Sequence, residues 1–167
     1  MKVHEIMTSN VHAVTSGIEL ASAVEKLWQN DIGALPVIND NGKLIGVITD
    51  RDIAVAVATR GQLASEIRVG DVISGRVESC LPDDDLGVAL LAMQRHKIRR
   101  LPVVNKEGVL QGIISLRDLA VNARESRGRL QSGVSFEDVI ATLKAVSEPL
   151  ESKQVLRQGA QAFTQRQ

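Results

Sequence analysis

The feature that most constrains this chain is that it is written twice. Shifted along itself, the sequence places residues 3–57 on residues 69–123 without a gap. Identity runs through Val3/Val69, Val11/Val77, Leu20/Leu86, Ala23/Ala89, Ile32/Ile98, Leu35/Leu101, Pro36/Pro102, Val37/Val103, Asn39/Asn105, Gly42/Gly108, Gly46/Gly112, Ile48/Ile114, Arg51/Arg117 and Asp52/Asp118. Turn glycines, strand prolines and an aspartate held in one register mark an internal duplication. The period is too long for a solenoid repeat, so the expected arrangement is a pseudo-symmetric pair of half-domains sharing one module. The sequence divides into residues 1–61, residues 62–123 and an unrepeated extension, 124–167.

Each copy predicts the same order of elements. In the first, residues 11–14 alternate as an edge strand does, and Ser16-x-x-Glu19 reads as a capping box. That box would open a helix reaching about Asn30, with Leu20, Val24, Leu27 and Trp28 on its apolar face. Residues 34–38 and 44–48 are strands around the Asn39–Gly42 turn, and a helix over 52–58 stops at Gly61. The second copy predicts a strand at 77–80, a helix over 83–96, strands at 101–104 and 110–115, and a helix from Arg117. Asp83, Asp84 and Asp85 fall in the first turn of the helix over 83–96, where carboxylates complement the dipole, and no further ligand beside them suggests a metal.

Past residue 121 the repeat ends. Residues 122–133 are polar and read as a linker, and Ser135-x-x-Asp138 caps a helix whose Phe136, Val139, Ile140, Leu143 and Val146 form one stripe ending before Pro149. A weaker helix over 151–163, with Val155, Leu156, Ala160 and Phe163 on one side, suits either a tail packed on its own module or a dimerisation arm. Deletion after about Arg129 is expected to leave a folded module.

Composition narrows the functional classes. Twenty Lys plus Arg balance twenty Asp plus Glu, and Trp28, Phe136 and Phe163 are the only aromatics, so neither a global field nor a base-stacking platform favours nucleic acid. A single cysteine, Cys80, excludes an internal disulfide, and His4, His12 and His96 have no zinc-site spacing. With no apolar run of about 18 residues and no leader-like start, the expectation is a cytoplasmic protein without a membrane segment. No nucleophile, base and orienting acid stand in a recognisable order, so catalysis is not expected.

Two stretches carry chemistry. Thr49-x-x-Asp52 and Ser115-x-x-Asp118 lie where a strand enters a helix. Spacing leaves two readings open: a helix cap, or a ligand site in which the carboxylate takes the hydroxyls of a vicinal diol such as ribose while the Ser/Thr hydroxyl takes the phosphate side. Arg99 and Arg100 are the second stretch. Two guanidiniums entering an apolar strand are poorly placed unless they reach a phosphate or an acidic partner, and the first copy has Gly33 and Ala34 there.

On Leu35-Pro36-Val37 and Leu101-Pro102-Val103, followed by Gly46-Val47-Ile48-Thr49-x-x-Asp52 and Gly112-Ile113-Ile114-Ser115-x-x-Asp118, the duplicated unit resembles the cystathionine β-synthase (CBS) domain, and the tandem resembles a Bateman module. The resemblance covers about residues 1–123. It implies an α/β (α+β) fold of two β-α-β-β-α repeats with two pseudo-symmetric clefts, plus the helical extension. It implies a regulatory module for an adenine nucleotide, AMP, ADP or ATP before S-adenosylmethionine or NAD, with homodimerisation and an unidentified regulated partner. Carried over, Asp52 and Asp118 hold ribose; Thr49, Ser115, Arg99 and Arg100 meet ribose or phosphate; and Val14, Thr15, Ile32, Cys80, Leu81 and Ile98 surround adenine. The basic pair in one copy alone implies unequal clefts. A ligand-independent interaction module is the alternative.

Overall fold

The computed structural model describes residues 1–73, 77–125 and 133–149. In chain order the elements are β1 (Val14–Thr15), α1 (Leu20–Gln29), β2 (Ala34–Ile38), β3 (Leu44–Thr49), α2 (Asp50–Arg60), α3 (Leu86–His96), β4 (Arg100–Val104), β5 (Leu110–Ser115), α4 (Leu116–Asn122) and α5 (Phe136–Ser147). Short 3-10 turns at Val3–Glu5 and Val69–Asp71 precede the two copies. The fold is mixed α+β. Each copy is built on an antiparallel hairpin, β2–β3 or β4–β5, with Pro36 opposite Val47 and Pro102 opposite Ile113. The hairpin turns hold Gly42 at φ 72° and Gly108 at φ 82°, a conformation that costs a residue with a Cβ. The two tips join: the Leu44 N–H donates to the Gly108 carbonyl (3.0 Å) and the Leu110 N–H to the Gly42 carbonyl (3.1 Å).

The first strand of each copy is shorter than its alternation suggested. β1 begins only at Val14 and pairs parallel with β2 over two residues, and its counterpart reduces to one parallel bridge, Cys80 to Val103. Helix starts also differ. Ser16 does not cap α1; Glu19 occupies the N-cap position without a side-chain bond. The first free N–H groups, of Leu20 and Ala21, donate instead to the carbonyls of Ile67 (2.8 Å) and Ala64 (3.1 Å), because the chain leaving α2 returns across the start of α1. In the second copy Asp85 is the N-cap of α3, so the three aspartates stand before the helix rather than in its first turn. Asp84 accepts the Leu81 N–H (2.8 Å), and Asp85 pairs with Lys2 (2.9 Å), which holds its carboxyl below the usual range.

Two cores form, and they exchange their leading pieces. Val3 is fully buried among Cys80, Leu86, Leu101 and Ile114 of the second copy, whereas Ile67 and Val69 are buried among Val14, Leu20, Leu35 and Ile48 of the first. The backbone bonds match pairwise. Val69 N–H donates to Ile18 O (2.9 Å) and Val3 N–H to Asp84 O (3.0 Å); Gly70 N–H donates to Ser16 O (2.8 Å) and His4 N–H to Pro82 O (3.0 Å). Thr8 and Ile113 also exchange backbone bonds (2.9 and 3.0 Å), so the N-terminal segment is an added edge on β5.

The expected apolar faces rotate in two helices. In α1 the buried residues are Leu20, Ala23 and Leu27, while Val24 and Trp28 face outward, Trp28 at 83% exposure. In α5 the buried line is Val139, Thr142 and Val146; Phe136, Ile140 and Leu143 are exposed. Val134, Val139 and Val146 join the second core, and α5 packs on α3 and α4. The helix expected over 151–163 lies outside the described residues. No helix among the described residues is long and apolar enough to cross a membrane.

Candidate functional site

Each hairpin delivers its Ser/Thr-x-x-Asp to a strand-to-helix junction. At α2, the Thr49 hydroxyl accepts the Asp52 N–H (3.2 Å), and Asp52 Oδ2 accepts the Thr49 N–H (3.0 Å) and hydroxyl (2.7 Å). At α4, Ser115 and Asp118 repeat this at 3.3, 2.8 and 2.6 Å. The capping reading is therefore realised in full. Ser135 and Asp138 at α5 form the same box, on a helix start that lines neither cleft described below, so the motif by itself does not identify a ligand site. The hydroxyl proton of Thr49 and of Ser115 is committed to its aspartate. The second carboxylate oxygen, Oδ1, of Asp52 and of Asp118 accepts no bond from the described residues.

Surroundings distinguish the two junctions from the third. Each opens on a cleft between the copies. The first, about 430 Å³, is lined by Ser115 and Asp118 with Arg99, Arg100, Ile32 and Val11, among others. The second, about 690 Å³, is lined by Thr49 and Asp52 with Arg99, Arg100, Ile98 and Val77, among others. These are equivalent positions in the two copies, so the duplication is carried into the cavities. Asp31 and Lys97 turn the chain from α1 and α3 into β2 and β4 with left-handed φ of 50° and 53°, which sets Ile32 and Ile98 on the cleft walls.

Arg99 and Arg100 border both clefts, being at the start of β4 where the copies meet. Their guanidiniums make no ion pair with a carboxylate among the described residues. The missing side chain of Gly33 leaves Arg100 its place at the rim: a Cβ there would lie 3.5 Å from Arg100 Nη2 and 3.3 Å from Asp50 Oδ2. The clefts differ in their other charges. The second carries Asp50, whose carboxylate accepts the Arg51 N–H (2.7 Å), and Glu78, which stands 3.5 Å from His96 Nδ1. The equivalent positions in the first cleft hold Leu116 and His12. Asp31 of the first cleft corresponds in turn to Lys97 of the second, and over each lining the carboxylates and the Lys and Arg side chains leave one net positive charge in both.

Four residues expected around adenine line neither cleft. Val14 and Cys80 are 4% exposed and belong to the two cores, because they pair with Val37 and Val103 in the sheets. Thr15 and Leu81 follow them in the chain and are likewise absent from the linings. Val11 and His12, and Val77 and Glu78, three residues earlier in the chain, line the clefts instead. Their signal was present, since Val11/Val77 is an identical pair of the duplication that was read as strand. Val146 of α5 lines the second cleft and has no counterpart in the repeat. Burial, and secondarily the Asp84 charge, push the Cys80 thiol up to about 12, so it is not a nucleophile at neutral pH. Among the described residues no three His, Cys, Asp or Glu side chains are grouped to hold a metal ion.

The CBS domain profile matches residues 3–59 and 69–124. The chain belongs to the CBS domain family. This CBS pair is 34% identical over 139 residues to the CBS domain-containing protein YhcV of Bacillus subtilis, covering 82% of the chain and 97% of the relative. Among solved structures it is similar to the CBS domain pair of protein MJ0100 in complex with 5′-methylthioadenosine and S-adenosyl-L-methionine, at 25% identity and TM-score 0.66, covering 72% of this chain and 94% of that one. It is also similar to CBSX2 in complex with AMP, at 30% identity and TM-score 0.62, covering 70% and 91%.

Proposed function

We propose that this CBS pair is a regulatory module that binds adenosine compounds in the clefts between its repeats, with AMP, ADP or ATP favoured over S-adenosylmethionine and NAD. The observation that carries the reading is the coincidence, in each of two equivalent clefts, of an aspartate with a free Oδ1 and two unpaired guanidiniums at a shared rim. Asp118 and Asp52 take ribose hydroxyls through Oδ1. Ile32 and Ile98 contribute the apolar wall for adenine. Arg99 and Arg100, which border both clefts, take the phosphate. Ser115 and Thr49 act through their aspartates, each fixing one carboxylate oxygen and aiming the other. The complexes of MJ0100 and CBSX2 support this choice of ligand class.

Exposed apolar residues on the helices, among them Trp28, Val55, Leu91 and Val121, suit a homodimer through which occupancy is passed on to a regulated partner. The formed capping boxes favour one competing reading, a ligand-independent interaction module. Isothermal titration with AMP, ADP, ATP, S-adenosylmethionine and NAD decides between them. Saturable binding by AMP, ADP or ATP, weakened by Arg99→Ala/Arg100→Ala, is expected; no heat from any of the five at millimolar concentration would leave the interaction module.

A further inference from the structure

The second cleft differs from the first in having a wall from outside the duplication. Val146, the last buried residue of α5, lines it together with the apolar side chains of Val77, Ile98 and Pro102. Two residues of the same lining, His96 and Lys97, end α3, the helix on which α5 packs. The Lys97 ammonium donates to the carbonyl of Glu148 (3.0 Å), just past the end of α5. One turn earlier, Gln94 of α3 donates to the buried Thr142 hydroxyl (2.7 Å), which donates in turn to the Asp138 carbonyl (2.8 Å). The C-terminal half of α5 is therefore fastened to the segment that forms the cleft.

The opposite face of α5, carrying Phe136, Ile140 and Leu143, is exposed, so the helix is held from one side only. α5 does not fill the cleft. At about 690 Å³, against about 430 Å³ for the first, the second cavity has the larger open volume with Val146 in place. A helix end that borders a cavity without occupying it gains contact area when the cavity is filled.

We propose that α5 is the ligand-responsive wall of the second cleft: a nucleoside bound there packs against Val146 and tightens the seating of the C-terminal helix, whereas filling the first cleft leaves it unchanged. The inference rests on the nucleotide reading above and gives that reading a direction, with the second cleft signalling to the C-terminal region. Coupling of this kind needs a ligand that binds the seated helix better than the unseated one, and Val146 supplies that difference.

Hydrogen exchange across Phe136–Ser147 in the full chain tests it, with AMP at about 100 times its dissociation constant. Exchange through openings that unseat α5 slows by up to about 100-fold, the limit set by linkage. The slowing is expected in the intact chain and in Asp118→Ala, and its limit is about 10- to 60-fold smaller in Asp52→Ala at the same AMP concentration. Should Asp52→Ala fail to fold, Val146→Ala in the Asp118→Ala background replaces it. Val146 is 9% exposed without ligand and offers AMP only about 15 Å² of apolar surface, so its truncation lowers AMP affinity by about twofold. Unchanged exchange while titration shows AMP bound to the second cleft, slowing lost in Asp118→Ala but kept in Asp52→Ala, or unchanged affinity in the Val146 variant overturns the inference alone. Failure of the intact chain to bind AMP or S-adenosylmethionine overturns the nucleotide reading and this inference together.

Discussion

Asp118 carries two assignments, a cap and a ribose ligand, and Asp138 carries only the first, which allows the two to be measured apart. In Asp118→Ala the Oδ2 bonds to the Ser115 N–H (2.8 Å) and hydroxyl (2.6 Å) are lost; in Asp138→Ala the corresponding bonds to Ser135, at 3.1 and 2.8 Å, are lost. Either cap is worth about 1 kcal/mol, slightly more for the half-buried Asp118 than for the exposed Asp138. Both variants should melt about 2–4 °C lower for each kcal/mol removed. Only Asp118→Ala also removes Oδ1 from the first cleft. A charge-assisted hydrogen bond of about 1.5–3 kcal/mol corresponds to about 10- to 150-fold in affinity. Differential scanning fluorimetry and AMP titration on the two variants separate the terms. If both lose similar stability and their AMP affinities agree within about threefold, Asp118 is a cap and nothing more, and the ribose assignment fails.

Gly112→Ala should destabilise the fold by about 2 kcal/mol, within the range for overpacking, because its Cβ would lie 2.6 Å from Met7 Sδ and 3.0 Å from the Thr8 carbonyl oxygen. Urea denaturation reads the loss, and since Thr8 also lines the first cleft, titration should show AMP binding there weakened as well. Ending the chain after Arg129 removes the burial of Val134, Val139 and Val146, at least about 3 kcal/mol on an area basis, and should give a chain with a visibly lower urea midpoint rather than an unaffected module. Cys80 gives a pH signature. Its thiol ionises near 9.0 when unfolded and near 12 when folded, so above pH 9 the unfolded chain holds fewer protons and stability falls as pH rises. The slope approaches about 1.4 kcal/mol per pH unit between those values. Cys80→Ala should flatten that part of the profile, and an equal slope in both proteins would contradict the assignment.

Much of the module was legible because the duplication turned one reading into two. Gly42 and Gly108 announced the turns, Gly61 the end of α2, and the paired Leu-Pro-Val runs the hairpins. What failed was local inference at positions decided by distant chain. Ser16 looked like a cap, but α1 starts only after Glu19, and its first N–H groups, of Leu20 and Ala21, donate to the carbonyls of Ile67 and Ala64. Phe136, Ile140 and Leu143 looked like core, yet a helix seated on α3 from one side buries the Val139–Thr142–Val146 line, and the buried Thr142 is tolerated because its hydroxyl donates to the Asp138 carbonyl and accepts from Gln94. The resemblance implies adenine contacts at Val14, Thr15, Cys80 and Leu81, whereas the residues that line the clefts are Val11, His12, Val77 and Glu78. Val146 belongs to the expected apolar stripe and is buried, but its place on the wall of the second cleft had no signal, since periodicity along α5 says nothing of what lies beyond its end.

The exchange of leading segments changes what counts as one repeat. Cut where the sequence repeats, residues 1–61 would carry Val3 but lack Ile67 and Val69, the residues that close their own core. Cut by packing, the first half runs from about residue 9 to residue 73, and residues 1–8 belong with the second. The arrangement is a handshake, each repeat lending its leading residues to the core of the other. It also marks where the circle can be reopened: a permuted chain that starts near residue 9 and appends residues 1–8 elsewhere must deliver Val3 back beside Leu86, or leave the second core open to water.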